Sequence, residues 1–363
     1  MARLRLVIAA GGTGGHVYPG IAVAREFQAR VADAEIVFVG RRGGWELDLV
    51  RREGFAVHAV RVEPLQGRPR GAQLWALGVL GRGVLQALRL LRRLQPQLVL
   101  GAGGYVMAPV VLAAALRRIP RVLLEQNLVP GLTVRWLARY AQLICTSFAD
   151  TEAFLARAPV LCTGTPVRPE IRALATAALP PLTCRLHVLV CGGSQGAHRI
   201  NQAVIEALPL LEAYRQQLAF VHQTGPAEVA RVRAAYAQRG FEAQVAAFLH
   251  DMAACYRWAH LVVCRGGAST LAELTVCGRP AIVVPYPHAA DDHQWRNAAA
   301  LQQHGAAEVI PDGELSGARL AAALAAVLAQ PARLLEQAAN SRRLGRPEAA
   351  AAIVNACLRV IGQ

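Results

Sequence analysis

Apolar positions in this chain fall into short runs, each followed by a loop and then a longer amphipathic or alanine-rich stretch. In the first half the runs lie at residues 5–9, 35–39, 98–100, 122–124 and 143–146. Runs this short, alternating with helical patterns, predict parallel strands wound by helices. The second half repeats the plan with runs at 186–191, 218–222, 245–247, 261–264 and 281–284. RLVIAAGGTGGHVYPG (5–20) and LHVLVCGGSQGAHRIN (186–201) share one layout: strand, glycine loop, helix start. The economical reading is two doubly wound α/β domains in tandem. TGTPVRP (163–169) carries the turn residues and prolines of a linker, and 347–361 reads as a helix with no strand partner. Residues 94–116 run 23 positions without a charge, the length of a membrane span, but hold Gly101, Gly103, Gly104 and Pro109. A strand, a glycine loop and a helix fit that stretch better.

Charge changes the picture next. The 363 residues carry 39 basic and 24 acidic side chains, net +15, and every basic one is arginine. Without lysine there is no Schiff-base lysine, no pyridoxal chemistry and no P-loop. Arginine still clamps phosphate through its planar fork. The eight cysteines form no C-x-x-C pair, and several sit in apolar runs as small hydrophobes, so we expect a reducing compartment and no zinc or iron–sulfur cluster. MARLRLVIAA has too short an apolar run for a signal peptide. With 6% aromatic residues and no helix-turn-helix or RNA-binding signature, nucleic acid is not an expected partner.

Glycine loops between strand and helix present backbone N–H groups at the positive end of a helix dipole, which suits phosphate. A ligand-free tight turn is the competing explanation for any single loop. Loops at 11–15, 101–104 and 192–196, with the Gly266-Gly267 pair, make it a weak one. A nicotinamide cofactor is not expected. Val17 occupies the place of the fingerprint's third glycine, and the second strand ends Phe38-Val39-Gly40-Arg41-Arg42 with no acid for a ribose. His16 closes the first loop at a helix start, where the dipole favours a neutral ring able to accept a proton. CRGGASTLAE (264–273) puts Ser269 and Thr270 near a helix start and Glu273 one turn on, placed to cap the helix or to accept ribose hydroxyls. VVPYPHAADDHQWRNA (283–298) adds His288, Asp291, Asp292, His293, Gln294 and Asn297 at a strand's carboxyl end, where such sheets bind ligands. Their spacing matches no familiar metal motif, so no metal site is expected.

Together these segments identify a resemblance. The chain resembles the MurG family of UDP-N-acetylglucosamine transferases nearly end to end. The match rests on GGTGGHVYPG (11–20), GAGGYVMAP (101–109), EQNLVPG (125–131), TGTPVR (163–168), GGSQGAHRIN (192–201), FLHDMAACY (248–256), CRGGASTLAE (264–273) and PHAADDHQWRNA (287–298). The resemblance implies a GT-B fold, two Rossmann-like doubly wound domains facing each other across a cleft. It places an acceptor and membrane-binding domain at 1–164, a donor domain at 165–342 and a C-terminal helix, 343–363, packed back on the first. The implied reaction is inverting transfer of GlcNAc from UDP-GlcNAc to the 4-hydroxyl of the polyprenyl-diphosphate-linked acceptor lipid I, giving lipid II and UDP for peptidoglycan. No cofactor and no essential metal are implied. His16 is the implied base. Thr13, Gly14, Gly15, Gly104, Tyr105, Glu125 and Asn127 are implied on the acceptor side. Arg168 and Ser194 are implied at the donor diphosphate, Leu249 and Met252 at uracil, and Ala268, Ser269, Thr270 and Glu273 at the turn and ribose. His293, Gln294 and Asn297 are implied to read the GlcNAc hydroxyls. Three departures stand out. The loop before Asp291 is one residue longer than in some relatives, which leaves open whether His293 or Gln294 makes a given sugar contact. Leu124 replaces a histidine common before E-Q-N, and Gly266 stands where serine occurs in the family, an exchange expected to matter little.

Residues 1–163 hold 21 Arg against 10 acids, and residues 164–363 hold 18 against 14. In the segment 67–94, read as a helix, Trp75, Arg82, Arg89 and Arg93 share a stripe beside Leu74, although Gly78, Gly81 and Gly83 threaten to break it. Basic residues flanking Trp and Leu suit docking on an anionic membrane surface; a core helix with a solvated arginine face is the bland alternative. The expected location is peripheral, on the cytoplasmic face of the bacterial cell membrane, with cell-wall synthesis or division proteins as partners. The rivals are a transferase of the same fold with another acceptor, and a non-catalytic or epimerising UDP-GlcNAc protein.

Overall fold

The computed structural model describes residues 4–63, 70–155, 158–182, 185–193 and 195–362, with the side chains of 70–77 outside the description. The chain divides into two compact units, residues 1–168 with 348–363, and residues 169–347. The sequence reading set that boundary at 164/165 and gave 343–363 to the first domain. The helix ending at Leu344 keeps the start of that tail in the second unit.

In the first unit the strands are β1 (Arg5–Ala10), β2 (Glu35–Arg41), β3 (Ala56–Val60), β4 (Leu98–Gly103), β5 (Arg121–Glu125), β6 (Leu143–Thr146) and β7 (Val160–Cys162). They pair in parallel in the order β3-β2-β1-β4-β5-β6-β7. Helices α1 (Gly14–Arg30), α2 (Glu46–Arg52), α3 (Arg70–Leu94), α4 (Met107–Leu116) and α5 (Leu132–Leu137) connect them. The central strands are buried on both faces because helices cover both, which is why they read as continuous apolar runs. The uncharged stretch 94–116 is β4, a glycine loop and α4, and among the described residues no single helix is long and apolar enough to cross a membrane. Helix α3 runs unbroken through its glycines. Gly83 lies where a Cβ would come within 2.7 Å of the Arg61 carbonyl oxygen, so its missing side chain permits close packing.

In the second unit β8 (Leu186–Cys191), β9 (Leu218–Gln223), β10 (Glu242–Ala246), β11 (Leu261–Cys264), β12 (Ala281–Val283) and β13 (Ala307–Val309) lie parallel in the order β10-β9-β8-β11-β12-β13. Around them run α6 (Pro169–Arg172), α7 (His198–Ala207), α8 (Val229–Gln238), α9 (Met252–Trp258), α10 (Ala268–Cys277), α11 (His293–Gln303), α12 (Gly317–Ala329) and α13 (Pro331–Leu344). Helix α14 (Ala349–Val360) returns to the first unit, where Ile353, Val354, Ala356 and Cys357 join the core beside α1.

Strands β3, β7 and β13 escape the sequence reading, and β10 begins earlier than the apolar run at 245–247. All four are sheet edges. An edge strand is covered less completely and needs no continuous apolar run, as the mixed burial of β3 and β10 shows.

Candidate active site

Each sheet reverses its winding at one place, between β1 and β4 in the first unit and between β8 and β11 in the second. A crevice opens outside the strand ends at such a point. All the glycine loops noted in the sequence follow these four strands.

In the first unit the loops after β1 and β4 pack directly on each other. Gly104, with φ +78°, has no room for a Cβ: one would sit 2.1 Å from the Gly11 carbonyl oxygen. Gly103, with φ +127°, is equally constrained, because a Cβ there would meet the His16 ring at 2.2 Å. His16 is thus wedged against Gly103 at the start of α1. Its Nδ1 lies 3.1 Å from the Gly11 carbonyl oxygen and 3.4 Å from Thr13 Oγ1. A carbonyl only accepts, so in the neutral ring Nδ1 carries the hydrogen and Nε2 the lone pair. Thr13 is the exposed N-cap position of α1, and Gly14 and Gly15 form its first turn. Tyr105, 42% exposed, follows Gly104.

Glu125 and Asn127 behave differently from surface ligands. Glu125 ends β5 and is buried; its Oε1 accepts from the Asn127 N–H at 2.8 Å and from Asn127 Nδ2 at 3.2 Å, and its Oε2 accepts from the Gly131 N–H at 2.9 Å. Burial raises its pKa above the ordinary carboxylate value, against the lowering effect of those donors. The carboxylate therefore shapes the loop from 125 to 131, and Gln126 ties that loop to β4 through the Ala102 carbonyl at 2.9 Å.

An acid does return to the end of β2. Glu46, in the first turn of α2, accepts the Arg41 N–H at 3.1 Å and lies buried against Gly11 and Gly44. The local sequence gave no sign of this because the turn at 42–45 brings it back. Only 2% exposed, Glu46 is closed to a ribose. Arg168, where the first unit ends, stacks on Tyr18 of α1 with its guanidinium carbon 5.4 Å from the ring centre.

In the second unit the segments after β8, β10, β11 and β12 carry the donor candidates. Ser194 lies outside the described residues. Around it, Gly196 adopts φ +77° and abuts the Thr224 carbonyl oxygen, 2.0 Å from where a Cβ would be. Buried Asn201 holds Thr224 from α7, donating Nδ2 to its carbonyl oxygen at 2.9 Å. Leu249 is buried just before α9, whose N-cap Asp251 accepts the Ala254 N–H at 2.9 Å and whose first residue is Met252. One turn on, the fully buried Tyr256 donates its hydroxyl to Glu273 Oε2 at 2.9 Å. Tyr256, overlooked in the sequence, thus couples the Met252 helix to the Glu273 carboxylate. Its only signal was its place closing FLHDMAACY.

Ala268, Ser269 and Thr270 form the first turn of α10 after the Gly267 N-cap. The start of α11 packs on this turn. A Cβ at Gly266 would lie 2.5 Å from the Gln294 carbonyl oxygen, so serine does not fit there without a shift, contrary to the expectation that the exchange matters little. Asn297 is buried with Nδ2 3.5 Å from the Gly266 carbonyl oxygen. Gln294 Oε1 accepts the Tyr286 N–H at 3.0 Å, and His293 Nδ1 lies 2.7 Å from the Ala290 carbonyl oxygen. Asp291 and Asp292 both adopt φ +51°, a left-handed pair that aspartate tolerates and that redirects the chain into α11. Among the described residues no group of three or more His, Cys, Asp or Glu could hold a metal ion. Burial pushes the Cys191 thiol up to about 12 and raises Cys264 well above its ordinary value, so both pack as inert hydrophobes beneath the loops.

On α3, Arg82, Arg89 and Arg93 are exposed beside Leu85, itself 54% exposed, while Ala87 and Leu91 face the core. The side chains of Leu74 and Trp75 lie outside the described residues.

Residues 6–146 match the glycosyltransferase family 28 N-terminal domain and residues 187–353 the family 28 C-terminal domain. A UDP-N-acetylglucosamine–N-acetylmuramyl-(pentapeptide) pyrophosphoryl-undecaprenol N-acetylglucosamine transferase from Geotalea uraniireducens is 43% identical over 358 residues, covering 98% of each chain. One of the same name from Geobacter sulfurreducens is 44% identical over 356 residues, covering 97% of each. The crystal structure of Acinetobacter baumannii MurG superposes with a TM-score of 0.80 at 30% identity, over 98% of this chain and 99% of that one.

Proposed function

The chain belongs to the family 28 glycosyltransferases of the MurG type, and from that premise we infer how its residues divide the work of GlcNAc transfer. It is a GT-B enzyme that moves GlcNAc from UDP-GlcNAc to undecaprenyl-diphospho-N-acetylmuramoyl-pentapeptide, with inversion, in peptidoglycan synthesis. The observation that carries this is identity of 43% across 98% of the chain, with phosphate-type glycine loops at both switch points.

In our reading the first unit serves the acceptor. The loops after β1 and β4 receive its diphosphate, with Thr13, Gly14, Gly15, Gly104 and Tyr105 around them. Glu125 acts on Asn127 by shaping its loop. His16 takes the proton of the attacking hydroxyl on Nε2, because the Gly11 carbonyl fixes the hydrogen on Nδ1. The bond from the sugar's anomeric carbon to the attacking oxygen forms as the bond from that carbon to UDP breaks, and negative charge grows on the departing diphosphate. Arg168, the 192–196 loop and the start of α10 stabilise that charge without a metal. Glu273, oriented by Tyr256, accepts ribose hydroxyls, Leu249 and Met252 hold the base, and His293, Gln294 and Asn297 read the sugar. The exposed arginines of α3 support peripheral docking on an anionic bilayer, where the polyprenyl tail of the acceptor lies.

The test is UDP release from UDP-GlcNAc with and without a short-chain lipid I analogue. Release that depends on the analogue is expected. Release without any acceptor would replace this reading with an epimerase or hydrolase. Release only with a different acceptor would reassign the first unit.

A further inference from the structure

Asp312 stands 47 residues along the chain from Arg265 and in no motif, yet the fold buries the two together. Arg265, the residue after β11, donates Nη1 to Asp312 Oδ1 at 2.6 Å, with the side chains 13% and 11% exposed. The same Nη1 lies 3.2 Å and 3.3 Å from the Val284 and Pro285 carbonyl oxygens, where the loop after β12 begins. The next residue, Tyr286, covers the guanidinium with its ring at 5.6 Å and donates its N–H to Gln294 Oε1 at 3.0 Å. A second arginine holds the far side of the acid: Arg199 Nη2 donates to the Asp312 carbonyl oxygen at 2.9 Å, and its Nε lies 3.5 Å from Oδ2.

We propose that Asp312 is a positioning residue for sugar recognition: through Arg265 it anchors the loop that delivers Gln294 and its neighbours to the donor's hexose. This rests on the reading that α11 reads the sugar. A guanidinium this buried is costly unless its donors are met, and two neutral carbonyls meet only part of that need. The carboxylate supplies the charge that keeps Arg265 in place, and Arg265 in turn gives the two carbonyls of the β12 loop their partner. Remove the carboxylate, and Arg265 swings toward water, leaving the Tyr286 ring without the cation it stacks on and Gln294 without a fixed anchor. On the nucleotide side, Asp251 caps the helix of Met252 and the Tyr256 hydroxyl donates to Glu273 Oε2 at 2.9 Å, two contacts that involve neither Arg265 nor Asp312.

The experiment compares the KM for UDP-GlcNAc with the inhibition constant of UDP, which has no sugar, in wild type, Asp312→Ala and Asp312→Asn. A rise of about tenfold in the KM for UDP-GlcNAc is expected for Asp312→Ala, with UDP inhibition within about twofold of wild type and narrowed preference over UDP-GalNAc. Asp312→Asn keeps an acceptor for Arg265 and is expected to recover part of the loss. Equal weakening of both ligands would overturn the proposal, since a general loosening of the unit does that; so would no change in either. If Asp312→Ala does not fold, Asp312→Asn is read by the same two constants. Wild-type enzyme without acceptor-dependent release would instead remove the underlying reading of the site.

Discussion

The two units share a winding order and a pair of loops at each switch point, but they stabilise those loops differently. In the first unit the loops lean on each other: Gly104 on Gly11, and Gly103 on His16. In the second each loop leans outward, Gly196 on Thr224 and Gly266 on Gln294. The second unit then backs its loops with buried polar groups. His222 is fully buried, 3.0 Å from Asn201 Oδ1 and 3.2 Å from the Tyr236 hydroxyl, and Arg265 and Asp312 form a largely buried pair. The first unit buries two carboxylates, Glu46 and Glu125, and carries the larger excess of positive charge, 21 Arg against 10 acids over residues 1–163. The lesson is that one topology supports loops held by close contact of glycines with a carbonyl and a ring, and loops held by contact with neighbouring elements and buried hydrogen-bond networks.

The sharpest way to break the comparison is His16→Ala. If His16 is the base, acceptor-dependent UDP release falls by about 10²–10⁴-fold while UDP binding is unchanged. Activity that survives would make the first unit's loops a binding surface only.

Acid should separate the units next. In the folded chain burial pushes His222 down to about 3, against an ordinary 6.5. Between those values the unfolded state binds the extra proton. Stability is therefore complete above about pH 6.5 and is lost as pH falls toward 3, by up to about 4–5 kcal/mol. Buried His260, lowered to about 4, acts in the same direction in the same unit. Glu125, raised by burial in the first unit, works in the opposite sense: its contribution is present below the ordinary carboxylate value and is lost as pH rises through the raised one. Hydrogen exchange near neutral pH and near pH 4.5 is expected to show 169–347 opening first on acidification. Uniform opening, or earlier opening of the first unit, would contradict this.

Paired glycine substitutions sharpen it further. Gly104→Ala and Gly196→Ala each force a side chain at positive φ into a carbonyl, costing about 2–4 kcal/mol. The first should raise the KM for the lipid acceptor and spare UDP inhibition; the second should do the reverse. If both variants shift both constants alike, the division of labour fails. The smallest effect is expected on α3, where Arg89→Gln should weaken binding to anionic vesicles at low salt by about fivefold, near 1 kcal/mol. Unchanged partition would leave the charge asymmetry without a membrane role.

The sequence alone determined the alternation of strand and helix, the duplicated plan, and the glycine loops at the strand ends, because interior strands and glycine loops are local patterns of apolar and glycine residues. The family followed from the same motifs. Tertiary structure decided what depends on distance in space. It returned Glu46 to the end of β2, turned the Glu125 carboxylate onto its own loop, and joined Tyr256 to Glu273 and Asp312 to Arg265. It also paired the edge strands, whose short or half-exposed sequences carry no periodic signal. A run of apolar residues announces its own burial. A carboxylate does not announce its partner, because only the packed chain sets which donor reaches it.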